Sequence, residues 1–119
     1  MNKEILVSHG IEYDKGLARF AGDVEIYEMV LMSFLEDTCL ETAKAALEKG
    51  DYETIFAVTH ELKGSSGNCD MTRLFRISDE LCEMTRGGKY KGNEDAVKAR
   101  FPEFEEAYTQ VIERIRLAQ

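Results

Sequence analysis

A chain of 119 residues with 15 Lys and Arg against 23 Asp and Glu carries a formal net charge of −8, and its length suffices for one domain whose core needs no disulfide or metal staple. At 44% hydrophobic and 32% charged residues, the composition is that of a globular protein and not of an acidic disordered tail. The acidity and the absence of a Lys/Arg stripe exclude a nucleic-acid binder, and no apolar run reaches the ~18 residues of a membrane span.

Residues 1–119 are expected to form a single domain, with 1–10 as a mobile tail. Tyr13–Phe20 can form a short helix ended by Gly22, lidding one end of the molecule. From Asp23 to Lys49 the positions Tyr27, Val30, Leu31, Phe34, Leu35 and Thr38 recur at three and four residues. That spacing predicts one long amphipathic helix, N-capped by Asp23 and closed by Gly50. Asp51 caps a second helix with Ile55, Val58 and Leu62 on its apolar side. A third starts at Asp70 or Thr72, carries Leu74, Ile77, Leu81 and Met84, and stops at Gly87-Gly88. Asn93 caps the last, whose seam runs Val97, Phe101, Phe104, Tyr108, Val111 and Ile115. Pro102 falls inside that seam and predicts a kink near Arg100–Phe101 or a helix restart at Phe101. Four long amphipathic helices joined by short loops are most simply buried as an all-α, antiparallel four-helix bundle, here with a short extra N-terminal helix.

Cys39, Cys69 and Cys82 are odd in number and lack C-x-x-C spacing, which argues for reduced cytosol and against a disulfide framework or zinc site. The carboxylates are spread over outer faces, so no metal is expected.

Helix interiors avoid glycine, which costs ~1 kcal/mol against alanine, yet Val58-Thr59-His60-Glu61-Leu62-Lys63-Gly64-Ser65-Ser66-Gly67-Asn68 holds two beside a histidine. At roughly 100° per residue, and with His60 at zero, Lys63 falls at about −60°, Gly64 at about +40°, Gly67 at about −20° and Phe56 at about −40°. All five share the face opposite Ile55, Val58, Leu62 and Cys69, which is the solvent side. A neutral imidazole nitrogen is a nucleophile, Lys63 attracts an anion to it, and the glycines remove side chains that would shield it. A smooth helix face offers no pocket for a small substrate, so the expected visitor is another protein. Phe56 is either a docking residue beside the nucleophile or tucked under the short N-terminal helix. His9, in a segment without partners, is expected to be incidental.

His60-Glu61-Leu62-Lys63-Gly64-Ser65-Ser66, with Leu74 fourteen positions after the histidine, resembles the signature of histidine-containing phosphotransfer (HPt) domains. The run Gly16-Leu17-Ala18-Arg19-Phe20-Ala21-Gly22-Asp23-Val24-Glu25-Ile26-Tyr27, with Phe34 beyond it, is similar to the N-terminal part of bacterial members. The resemblance implies a four-helix bundle with His60 phosphorylated through Nε2, Lys63 contacting the phosphoryl group and Gly64 keeping the ring accessible. It also implies a phosphocarrier without ATP-dependent kinase activity of its own. Its partners would be the receiver domains of a hybrid histidine kinase and of a response regulator, with Mg²⁺ supplied by the receiver. A monomer in the cytoplasm is expected. The alternative is a non-catalytic helical adaptor that binds receivers through the His60 face.

Two departures stand out. Asp70-Met71 replaces the family's usual Gly-Ala, with Asp70 available as an N-cap, and Cys82 stands where some members carry a polar side chain that helps hold the phosphoryl group. Arg73 or Arg76 is the expected electrostatic substitute.

Overall fold

Of the expected caps Asp23, Asp51 and Asn93, the first two bond a first-turn amide, whereas Asn93 precedes Glu94 without a side-chain cap bond, its side-chain amide donating instead to the Lys89 carbonyl at 3.0 Å. Asp23 accepts a hydrogen bond from the Ile26 amide at 3.1 Å and Asp51 from the Thr54 amide at 3.1 Å, each satisfying a first-turn donor that has no intrahelical partner. The computed structural model describes residues 1–8 and 10–119; His9 lies outside the described residues. Their regular elements are helices: α1 Lys3–Val7, α2 Tyr13–Arg19, α3 Val24–Ser33, α4 Cys39–Lys49, α5 Tyr52–Asn68, α6 Thr72–Thr85 and α7 Glu94–Leu117, with 3-10 turns at Phe34–Glu36 and Arg86–Gly88 and an isolated antiparallel bridge between Ile11 and Met71. No helix among them is long and apolar enough to cross a membrane.

The expected single helix from Asp23 to Lys49 is two helices. The chain leaves the helical region at Asp37, where ψ is 141°, and the Asp37 carboxylate accepts from the Cys39 amide at 3.0 Å. Such local bonding by a short polar side chain competes with the helical ladder. The Tyr108 hydroxyl, arriving from α7, donates to the Asp37 carbonyl at 3.1 Å and to its carboxylate as well. The break is thus stabilised from 71 residues away. Gly50 ends α4 as expected, in the left-handed region at φ 71°.

Residues 1–8 of the expected tail are folded onto the body. Asn2 caps α1 through its side-chain oxygen, and its amide donates to the Ala118 carbonyl at the far end of the chain. Leu6 is fully buried, and the terminal ammonium pairs with Glu28 at 3.3 Å. Pro102 lies within α7, which continues as one element, so the helix does not restart at Phe101. Burial of Phe101, Phe104 and Tyr108 around the proline offsets its ~3 kcal/mol penalty. All six seam residues of α7 are buried.

Lys63 of α5 pairs with Asp79 of α6, while Gly67 faces Phe75, so α5 and α6 run antiparallel. Arg73 with Glu103 and Glu106, and Glu80 with Arg100, give the same relation for α6 and α7. At the top of this pair the N-terminal segment clips onto the α5–α6 corner. Glu12 donates its amide to the Asp70 carbonyl at 2.8 Å, and Thr72 donates its amide to the Gly10 carbonyl at 2.9 Å. Helix α2 then sits on Tyr27, where a Cβ on Gly16 would come within 2.2 Å of the phenol oxygen. Tyr27 donates in turn to the Cys69 carbonyl at 3.1 Å. Glycine is required at 16 because the fully buried Tyr27 ring lies directly against the α2 backbone there and cannot move aside.

Candidate functional site

Helix α5 separates its two faces sharply. Ile55, Val58, Leu62 and Cys69 are buried, and the equally buried Thr59 and Ser66 hydroxyls donate to the carbonyls of Ile55 and Leu62 four residues back, so no polar group on this side is left unsatisfied. On the other side His60 and Gly64 are exposed. A Cβ placed on Gly64 would meet nothing within 4 Å. The imidazole therefore stands on a rigid helix with free space one turn along from it.

Lys63 is where its spacing put it, but it is already paired: Nζ lies 2.9 Å from Asp79 Oδ1. That hydrogen bond and the carboxylate charge hold the ammonium above the usual lysine range, so it stays protonated at any pH at which the domain works.

Phe56 is half-buried and lies against His60, with ring centroids 5.7 Å apart at 42°. The Arg86 guanidinium covers it at 5.3 Å from the ring centroid, a cation–π contact. Of the two placements open to Phe56, the structure gives a ring stacked between His60 and Arg86. Arg86 is a neighbour that helical spacing within α5 could not find, because it follows α6, 26 positions after the histidine; its only sequence signal is its place ahead of Gly87-Gly88.

Gly67 differs from Gly64. Its Cβ would lie 3.0 Å from Phe75 Cδ1 and 3.2 Å from Cε1, so this glycine accommodates an α6 side chain as well as bordering the site. Asp70 is not the N-cap of α6, a position held by Met71 without a side-chain bond. Asp70 instead takes a left-handed conformation, φ 53°, with its carboxylate accepting from Arg19 Nε at 2.6 Å. Aspartate tolerates that region because its short polar side chain finds local partners.

The clipped N-terminal segment changes the surface around His60. Between α5, α2 and the start of α6 lies an open groove of about 640 Å³, bordered by His60, Lys63, Gly64, Arg19, Phe75 and Arg76. The expectation of a smooth helix face is therefore corrected, since tertiary neighbours raise walls that one helix lacks. Arg73 and Arg76 part company here. Arg73 is engaged by Glu103, Glu106 and Gln110 of α7, whereas Arg76 is exposed at the groove. Cys82 is fully buried, and burial pushes its thiol pKa up. Burial likewise raises Cys69 to about 11 and Cys39 to about 12, so none of the three is a reactive thiolate near neutral pH. Among the described residues no three His, Cys, Asp or Glu side chains converge to hold a metal ion.

An exposed imidazole on a rigid helix, beside an open glycine and next to cations, suits transfer of an anionic group delivered by a large partner. The family model of the Hpt domain matches residues 25–116. Among solved structures the chain is similar to the crystal structure of histidine-containing phosphotransfer protein B (HptB) from Pseudomonas aeruginosa, with a TM-score of 0.73, 25% identity and 92% of each chain covered. No curated protein sequence matches it.

Proposed function

Because the chain belongs to the Hpt domain family and is a histidine phosphotransfer protein of phosphorelay signalling, we propose that His60 is the residue that carries the phosphoryl group. Proteins of this family interact with the receiver domains of kinases and response regulators. His60 Nε2 attacks the phosphorus of a receiver's aspartyl phosphate in line; the P–N bond forms as the P–O bond to the aspartate breaks, and the carboxylate leaves with the electron pair. The reverse step on a second receiver returns the domain to its starting state. Chemistry of this kind is mostly positioning and charge neutralisation. Lys63 supplies a fixed cation from this chain, and the receiver supplies Mg²⁺ and its own cation.

The observation that carries the reading is the exposure of His60 beside Gly64, at which a side chain's first carbon would meet nothing within 4 Å. A receiver must bring its aspartyl phosphate to bonding distance of the ring, and only an unobstructed helix face permits that. The antiparallel helices are the family's four-helix bundle in this reading, with α4 to α7 as its members and α1 to α3 added at the N-terminus. The domain works as a monomer in the cytoplasm, and sedimentation at micromolar concentration checks the first point.

Incubation with a receiver phosphorylated on its aspartate tests the assignment. Wild-type protein gains acid-labile, base-stable label and His60→Gln gains none. Full labelling of His60→Gln overturns the assignment. Binding and signalling that persist in His60→Gln cells, with no label ever seen on wild type, favour the adaptor reading.

A further inference from the structure

Three cations border the His60 groove: Arg19, Lys63 and Arg76. Two are committed inside the domain. Arg19 Nε lies 2.6 Å from Asp70 and Lys63 Nζ 2.9 Å from Asp79. Close by on α6 and α7, Arg73 and Arg100 are likewise held by Glu103 and Glu80, at 2.9 Å and 2.7 Å. Arg76 alone among the groove's cations makes no ion pair or hydrogen bond with the described residues, although its charge helps lower the pKa of Glu12 at longer range. Every neighbouring cation has found a carboxylate on a surface crowded with them, and this one borders the site without one.

We propose that Arg76 is the docking cation of the His60 groove, the residue that pairs with the acidic phosphorylation site of an incoming receiver and sets how tightly that receiver binds. The proposal rests on the phosphotransfer reading and adds the residue that selects the partner. Its logic is electrostatic. A chain of net charge −8 must receive an aspartyl phosphate, itself a dianion embedded among carboxylates. Long-range repulsion is screened beyond ~8 Å at physiological salt, so the local charge in the groove decides the encounter. A paired cation can still touch a group brought against it but presents little net field at a distance. An unpaired guanidinium at the rim attracts the receiver, raises the association rate and fixes its orientation. Lys63, one turn from the imidazole, acts on the transferring group; Arg76, on the neighbouring helix, acts on the protein that brings it.

Two measurements on the full chain test this. In single-turnover transfer from a phosphorylated receiver, Arg76→Gln raises the half-saturating receiver concentration about fivefold at low salt. The rate at saturation stays unchanged, Arg76→Lys recovers most of the affinity, and the gap closes to under about twofold at 0.5 M salt. A fall in the saturating rate with unchanged half-saturation overturns the proposal, as does no change at low salt. The second arm titrates His60→Gln, with and without Arg76→Gln, against the same receiver held in its activated form by beryllofluoride. Here a fivefold weakening supports the docking role whether or not transfer occurs, and equal affinity overturns it. Loss of all labelling in the wild type with this binding difference intact overturns the His60 assignment alone.

Discussion

The two faces of α5 are built by opposite rules from one run of seventeen residues. On the inner face Ile55 and Leu62 are fully buried, and even the serine and threonine are satisfied within the helix. The outer face keeps His60 exposed and leaves Gly64 empty, although glycine weakens the helix. In the proposed transfer reaction the difference has a use: the packed face holds the helix in place, and access for a receiver is obtained by giving up helix propensity where the cost is ~1 kcal/mol. Stability and transfer should therefore respond to different substitutions on the same helix.

The largest effect is expected on the inner face. Leu62→Ala removes a fully buried side chain and should cost roughly 2 to 5 kcal/mol of stability, measured by denaturant unfolding. Transfer by the fraction still folded should be near wild type, because His60 stands on the other side. A folded Leu62→Ala protein with intact stability and lost transfer would break the separation of faces. Next comes Gly64→Leu, which meets no atom within 4 Å at Cβ. The helix should hold or gain up to about 1 kcal/mol, while transfer falls roughly a hundredfold because the phosphoryl donor can no longer close on the ring. A variant at Gly64 that lost helicity would show that the glycine is structural after all.

This division was legible in the sequence because it is local. The cap at Asp51, the apolar spacing of Ile55, Val58 and Leu62 and the angular cluster of His60, Lys63 and Gly64 all follow from helical geometry over a few turns. What could not be read depends on residues far apart in the chain. The break at Asp37 answers to Tyr108 on α7, and α1 answers to Ala118 and Glu28; a five-residue helix carries too little periodicity to be seen alone. Arg86 over Phe56, and the sorting of Arg73 from Arg76, depend on how α6 is turned against its neighbours. The groove beside His60 belongs to the same class, since its walls come from three segments.

Alkaline pH sharpens the contrast through the buried thiols and phenols. Burial raises Cys69 to about 11, Cys39 to about 12 and Tyr13 to about 12 from ordinary values of 9.0, 9.0 and 10.0, and raises Tyr27 and Tyr108 further. The folded chain thus keeps protons that the unfolded chain has already released. The stability tied to these groups is fully present below about pH 9 and is lost as pH rises through 11 to 12. The loss is read as a drop in Tm between pH 8 and pH 10.5 in reducing buffer. A flat melting temperature across that range would show that the thiols and phenols are open to water.

Gly67 lies on the boundary between the faces and gives the smallest and most discriminating test. Alanine there gains up to about 1 kcal/mol of helix propensity, but its Cβ would stand 3.0 Å from Phe75 Cδ1, closer than carbon atoms pack. Phe75 is only half-buried, so its ring can yield by a few tenths of an ångström at a cost comparable to the gain. Gly67→Ala should therefore change stability by less than about 1 kcal/mol, and adding Phe75→Leu should convert it into a net gain. A double-mutant cycle should give a coupling of about 0.5 kcal/mol or more between the two positions. Zero coupling would mean that Phe75 does not rest on the glycine and that Gly67 serves access alone. In that case Gly67→Ala should slow transfer as Gly64→Leu does, and the site would extend a full turn further along α5.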